Sequence, residues 1–361
     1  MKKTSILLFL AALVTLSACE NKIRFDYDST DGQITLLAHL NASDELHTVV
    51  LAMTYPDRSE ELTGATVRCY VNGILHTAEE ELQTLPSYAR PEDTWWRNDF
   101  TRYHFNAALH PGDAVRLEAA KGSLNAYAEL TVPEPASIVS LDTTQVVKTY
   151  VVHSYNGEEY TYESRILSVE TGIRDIPGED NYYYLDVRRE YAGTHHFLDE
   201  NGLPARPDSL SFDRETPYIE TEHDPVLNDG YAASPGEDGL FSELFATNEM
   251  LCFPDRLFQD GETVLHFSLY DNEAAWTDAT SADFDVSLSV SLQTIGRDYY
   301  NYLRAINNME TYGYNVSPII EPTMLPNNVK GGYGMVSVSA GSSVVLPLKT
   351  IHVDRYPEWG Y

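Results

Sequence analysis

The sequence predicts a mainly β protein: an N-terminal immunoglobulin-like β-sandwich, then a larger β-rich domain with one notable α-helix near residues 298–310. Three observations lead there. Short runs of alternating apolar and polar residues, broken by Gly, Pro, Asn and Asp, recur from residue 34 onward. Aromatic usage is high, with 25 Tyr, 12 Phe and 4 Trp, and suits strands better than helices. The 361 residues suffice for about two domains of roughly 150 residues, each with a core of its own.

Residues 1–18 have the layout of a secretory signal. Lys2 and Lys3 form the positive end, Ile6 to Leu16 the apolar stretch, and Ser17 and Ala18 the small residues before a break. Leu16-Ser17-Ala18-Cys19 resembles a bacterial lipobox, which implies cleavage before Cys19 and lipid attachment at its sulfur. Each buried methylene of such a lipid contributes roughly 0.8 kcal/mol, so several acyl chains hold a body at a membrane without a spanning helix. Residues 19–32 then read as a tether, polar and carrying Asp26, Asp28 and Asp31.

From 33 to 132, six short strands are expected, with a tight hairpin at Asn72-Gly73 and a turn at Pro111-Gly112-Asp113. That spacing predicts the sandwich. Residues 85–99, with Trp95 and Trp96, form its long connection. Residues 133–137 carry Pro133 and Pro135, which stiffen the chain and mark the boundary to a second domain at 138–361. In that domain strands are expected at Ile138–Leu141, Gln145–Ser154, Glu159–Glu170, Tyr182–Tyr191, Thr263–Tyr270, Phe284–Thr294, Met335–Ala340 and Ser343–Leu348. Between them, 199–243 lose periodicity and hold 12 acidic side chains against Arg206 and Arg214. Asp298 is the expected N-cap of the helix, whose stripe of Tyr299, Leu303 and Ile306, flanked by Tyr302 and Met309, faces a core.

Chemistry is sparse. A net charge of −31 argues against nucleic acid, whose phosphates need a basic face. Nucleophile-elbow, Walker, zinc-protease and CxxC patterns are absent, and no cofactor or metal is expected. The Gly331-Gly332-Tyr333-Gly334 turn has no helix after it to cradle a phosphate. His195 and His196 should point to opposite faces of a strand, a weak metal pair. Beside His223, Asp224 with Asp229 could offer oxygen ligands to calcium, without the full spacing of a calcium loop. Cys69 and Cys252 read as small core residues. Two rings of Tyr182-Tyr183-Tyr184 should share one face of a strand, and Trp95-Trp96 could stack on a sugar or plug the sandwich end.

In this order the features resemble a family of Bacteroidota lipoproteins, that of domain of unknown function 4249. The resemblance rests on Cys19-Glu20, the Ile23 to Tyr27 run, Gly64-Ala65-Thr66-Val67 with Asn72-Gly73, and Asn181-Tyr182-Tyr183-Tyr184. Asp224-Pro225, Asp229-Gly230, Arg256-Leu257-Phe258 with Gly261, the helix with Tyr300, Tyr302 and Leu303, Glu321-Pro322, and Asn328-Val329 with Gly332 and Gly334 complete it. The chain departs from the family in its longer Trp-bearing loop and in Ser317-Pro318-Ile319-Ile320. The resemblance implies an outer-membrane lipoprotein associated with a TonB-dependent receptor, and it supplies no catalytic residues.

The function expected is therefore non-enzymatic: an accessory or partner of a TonB-dependent receptor or its glycan or peptide cargo, anchored in the outer membrane through Cys19. The alternatives are a glycan-binding surface lipoprotein and, third, a hydrolase with an acidic site.

Overall fold

A computed structural model describes residues 32–354 apart from 56–57, 82–99, 154–158, 200, 222–223, 229–247, 271–276, 278 and 313–324. The signal, Cys19 and nearly all of the tether thus lie outside the described residues, as do Trp95 and Trp96. The first lobe contains β1 (Gln33–Asn41), β2 (Leu46–Thr54), β3 (Ser59–Glu61), β4 (Thr66–Val71), β5 (Ile74–Thr77), β6 (Glu79–Glu80), β7 (Thr101–Asn106), β8 (Ala114–Lys121) and β9 (Leu124–Thr131). Strands β5-β4-β8-β9 form one sheet, and β1-β2-β7-β6, with β3 on β2, form part of another. Alternation decides which residues meet between them. Ile34, Leu36 and Leu40 of β1 and Val49 and Leu51 of β2 pack with Val67, Cys69, Leu117 and Ala128 of the facing sheet. The β4–β5 hairpin turns at Asn72 and Gly73, both at positive φ (50° and 83°), which is the geometry that a two-residue connection needs.

The second lobe contains β10 (Ser137–His153), β11 (Glu159–Arg174), β12 (Tyr182–His196), β13 (Ser209–Glu215), β14 (Ile219–Glu220), β15 (Cys252–Pro254), β16 (Glu262–Tyr270), β17 (Ser281–Ile295), helix α1 (Arg297–Tyr312) and β18 (Val336–Asp354). Sheet β10-β11-β16-β14 faces β13-β12-β17-β18. Their core joins Val169, Ile173, Leu265 and Phe267 to Leu185, Val187, Leu288 and Val290. Helix α1 covers one end of the opposite face, where Leu303 packs with Cys252 and Ile295 against Tyr182, Tyr184 and Tyr299. The mainly β expectation holds.

The expected division into two separate bodies does not. Strand β18 pairs in parallel with β1, from Ala38 opposite Val336 to Asn41 opposite Ser339, so strands from both halves run through one ten-stranded sheet. Just before it, residues 330–334 are stitched to both sheets of the first lobe. Lys330 and Tyr127 exchange backbone hydrogen bonds at 2.8 and 2.9 Å, and Tyr333 N–H donates to Ile34 O at 2.9 Å. Val329, Val336, Val338 and Ala340 complete the first lobe's core. The Pro-rich segment is docked too: Val132 and Ala136 are buried, and Ala136 N–H donates to Thr294 Oγ1 at 3.0 Å. Two prolines stiffen a chain without keeping it off its neighbours.

Other corrections are local. Two expected strands merge into β10, because Asp142-Thr143-Thr144 carries no turn-forming Gly or Pro and stays extended opposite Glu170, Val169 and Ser168. Two more merge into β18, where Gly341 continues the strand because a Cβ there would overlap Leu292 O. Pro347 sits where the β17–β18 register shifts, a place that asks no ladder bond of it. The acidic stretch 199–243 holds β13 and β14. The helix begins a residue early, with Tyr300 N–H donating to Gly296 O, so Asp298 lies inside the first turn rather than capping it.

Gly334 sits at φ 124° with its α-carbon against Leu36 O, which any Cβ would overlap. Gly334→Val should destabilise the chain by about 2 kcal/mol or more, read as a lower thermal midpoint. An unchanged midpoint would contradict the stitching described.

Candidate functional site

The residues singled out by sequence fall in different places. His195 points inward, with Nδ1 2.7 Å from Thr277 Oγ1 and Nε2 2.8 Å from Ser211 Oγ. His196 points outward, to Asp208 at 3.0 Å and Asp283 at 3.1 Å. Tyr183 is fully buried, while Tyr182 and Tyr184 share the face under α1, and the Tyr182 ring lies 4.9 Å from that of Tyr300. Cys69 and Cys252 lie in different cores, and burial pushes the Cys69 thiol up to about 12.

Asp224 is buried, and both its oxygens are engaged by backbone. Oδ1 accepts Val226 and Leu227 N–H at 2.8 Å each, and Oδ2 accepts His266 N–H at 2.6 Å. That carboxylate closes a turn and pins it to β16. Its proposed companions His223 and Asp229 lie outside the described residues.

A second buried acid group joins β11, β12 and β15. Tyr183 O–H donates to Asp175 Oδ1, Asp260 N–H donates to Asp175 Oδ2 at 2.7 Å, and Asn181 N–H donates to Asp255 Oδ2 at 2.7 Å. Burial, with the charges of Asp175 and Asp180, pushes the Asp255 carboxyl above its usual range. These acids face backbone and a buried phenol, the pattern of a structural clasp.

On the outer face of the long sheet, Asp283 lies between two imidazoles. His196 Nε2 is 3.1 Å from its Oδ2 and His352 Nδ1 2.6 Å from its Oδ1, with Asp208 and Asp354 completing the row. The hydrogen bonds to Asp283 raise both histidines, and those same bonds lower Asp283. Among the described residues no three His, Cys, Asp or Glu side chains are placed so that they could hold a metal ion together.

An open groove of about 680 Å³ lies over the outer face of β4, β8 and β9, lined by Tyr70, Arg116, Glu118, Glu129, Leu130 and Thr131, among others. Cross-strand register sets Tyr70, Arg116 and Glu129 in one row and Arg68, Glu118 and Tyr127 in the next. Arg116 donates to Glu118 Oε1 at 2.6 Å and Glu129 Oε1 at 2.7 Å, and its guanidinium lies 3.9 Å from the Tyr127 ring centre. Lys330, arriving from the far end of the chain, bonds Glu129 at 3.1 Å. Bonds from Lys330 and Arg116 hold the Glu129 carboxyl below the usual range. The Arg116 guanidinium is thus held in place between two carboxylates and the Tyr127 ring. The sequence does carry a signal for it: Arg116-x-Glu118 and Tyr127-x-Glu129 place polar and aromatic side chains on the solvent face of adjacent strands.

Residues 20–343 match the family described as Domain of unknown function (DUF4249), and the chain belongs to that family. No curated protein matches it. It is similar to a solved DUF4785 family protein from Legionella pneumophila at 11% identity and a TM-score of 0.19, over 72% of this chain and 52% of the other. The chain thus spans about half the length of that structure.

The raised histidines stabilise the fold below about pH 6.5 and lose that contribution as pH rises through their folded values; the lowered Asp283 stabilises above about pH 4. The row should therefore be tightest between these limits. In Asp283→Asn, NMR titration should show both histidines moving back toward about 6.5. Unmoved titrations would break the assignment. Asp224→Ala, which leaves two buried N–H groups and one half-buried one without their acceptor, should cost about 2 kcal/mol or more in denaturant unfolding; a cost under about 1 kcal/mol would contradict the turn-closing role.

Proposed function

We propose that this protein is a non-enzymatic lipoprotein of the outer membrane that works by surface contact, as an accessory or partner of a TonB-dependent receptor or its cargo. The observation that carries the reading is the lipobox-like Leu16-Ser17-Ala18-Cys19 after an apolar stretch, on a chain of this family. Structural hydrogen bonds support it, because Asp175, Asp224 and His195 are occupied in holding the fold. With a net charge of −31, the body favours a partner with a basic face, and such attraction steers encounter rather than fixing it.

A second reading, binding of a glycan, is favoured by the groove around Tyr70 and Arg116. Sugar rings stack on phenol faces, and their hydroxyls pair with fixed guanidinium and carboxylate groups.

Cys19→Ser should abolish labelling by radiolabelled fatty acid and leave unprocessed precursor; undiminished labelling would overturn the anchor. Crosslinking in native membranes should capture a receptor subunit, and its association rate should fall as added salt shortens screening to about 8 Å. Capture of nothing, or a rate indifferent to salt, would count against the first reading. For the second, a glycan array should give binding that Tyr70→Ala and Arg116→Ala both remove.

A further inference from the structure

Strand β10 is the outer strand of its sheet, paired only with β11 among the described strands. It touches the other sheet at its start, where Ile138 N–H donates to Ser342 Oγ at 2.8 Å. From residue 147, beyond the end of the β11–β16 ladder at Ile166 and Tyr270, it runs on with β11 as a two-stranded arm on which Val147, Thr149, Val151, Tyr160 and Thr161 are exposed. Val147 and Val151 of β10 are 55% and 57% accessible, and Tyr160 of β11 54%. Long, flat edges rich in β-branched residues are templates for another strand, and proteins ordinarily blunt them with charge, Pro or a bulge. Here the 17 residues contain one acid, Asp142, one lysine, Lys148 (3.2 Å from Glu220 Oε2), one histidine, His153, and no proline, and the register shift in the β10–β11 ladder lies at its start, between Ile138 and Ser140. In a chain of net charge −31 that makes the strand a neutral seam.

We infer that β10 pairs with β10 of a second copy of this chain, antiparallel and centred on Gln145. The order of residues is what selects this occupant and this register. With Gln145 opposite Gln145, Asp142 falls opposite Lys148, Thr143 opposite Val147, and Thr144 opposite Val146. Each pair then lies on one face of the joined sheet, as antiparallel pairing requires. The two charged residues of the seam meet across it twice, so neither is set against its like. Shifting the register by two residues takes Asp142 off Lys148. The result is a continuous sheet through two copies, β16-β11-β10 then β10-β11-β16, closed by a two-fold axis. The β10 edge and the groove on β4, β8 and β9 belong to different sheets.

The test is disulfide trapping of the full-length chain in isolated membranes. Residues directly opposite in antiparallel strands have Cα atoms about 4.5–5.5 Å apart, within the range of a disulfide. Gln145→Cys should give a dimer on a non-reducing gel under mild oxidation, removed by reductant. Asp142→Cys should stay monomeric, because six residues of offset separate its copies by about 20 Å. Thr143→Cys and Val147→Cys, each monomeric alone, should crosslink when co-expressed, which keeps the test alive if Gln145→Cys folds poorly. Absence of a dimer from both the Gln145 and the mixed experiments would overturn the pairing. So would Asp142→Cys crosslinking as strongly as Gln145→Cys, since that signals random collision.

Discussion

The structure depends on the return of the chain's end into its beginning. Leu36 N–H donates to Tyr333 O at 2.8 Å, Ala38 N–H to Met335 O at 3.1 Å, and Ala42 N–H to Ser339 O at 2.8 Å. Those bonds span almost 300 residues of sequence and turn two sandwiches into one sheet system. The same segment supplies Val329, Val336 and Val338 to the first core and then, as β18, forms the wall of the second beside β17. Removing it would expose apolar surface in both lobes at once. Burying a side chain such as Val or Leu contributes about 1.5–3 kcal/mol, so the loss would approach the whole stability of an ordinary domain.

This arrangement explains where polar groups are spent. Asp224 holds a turn to β16, the Asp175–Tyr183 pair locks the end of β12, and His39 on β1 bonds Ser337 and Ser339 on β18 at 2.7 and 3.2 Å. The His39 ring also stacks on that of Tyr299 in α1, 4.9 Å between centres. The outward faces are freer to act. One carries the groove around Arg116, another the β10–β11 arm, and the long sheet carries the imidazole row at Asp283. Lys330 connects the groove to the joint, since its backbone pairs with Tyr127 and its amine with Glu129.

Local structure was legible in the sequence because local residues encode it. Asn72-Gly73 announces its hairpin, alternation in Phe284–Thr294 announces β17, and the spacing of Tyr299 and Leu303 announces α1. What period and turn chemistry leave open is which distant strand lies beside which. Nothing in Ile34–Leu40 names Val336–Ser339 as its neighbour, and Pro133 and Pro135 suggested a spacer where the chain is docked on Thr294. Gly341 shows a related limit: glycine marks turns and also close backbone approach, and only the neighbour, Leu292, tells them apart. Of the candidate site, Tyr70, Arg116 and Glu129 belong to strands that were foreseen, yet their meeting in one row follows from register. Asp224 carried the right mark of importance and the wrong role, because a carboxylate that binds backbone N–H groups looks in sequence like one awaiting a cation.

The central claim is that the two lobes are one cooperative structure through β1 and β18. Native-state hydrogen exchange of the Leu36, Ala38 and Ala42 amides tests it most directly. Their exchange should require the same opening free energy as amides of the β12–β17 ladder, and should respond to denaturant with the same slope. Early exchange of these three amides, with β12 and β17 still protected, would contradict it.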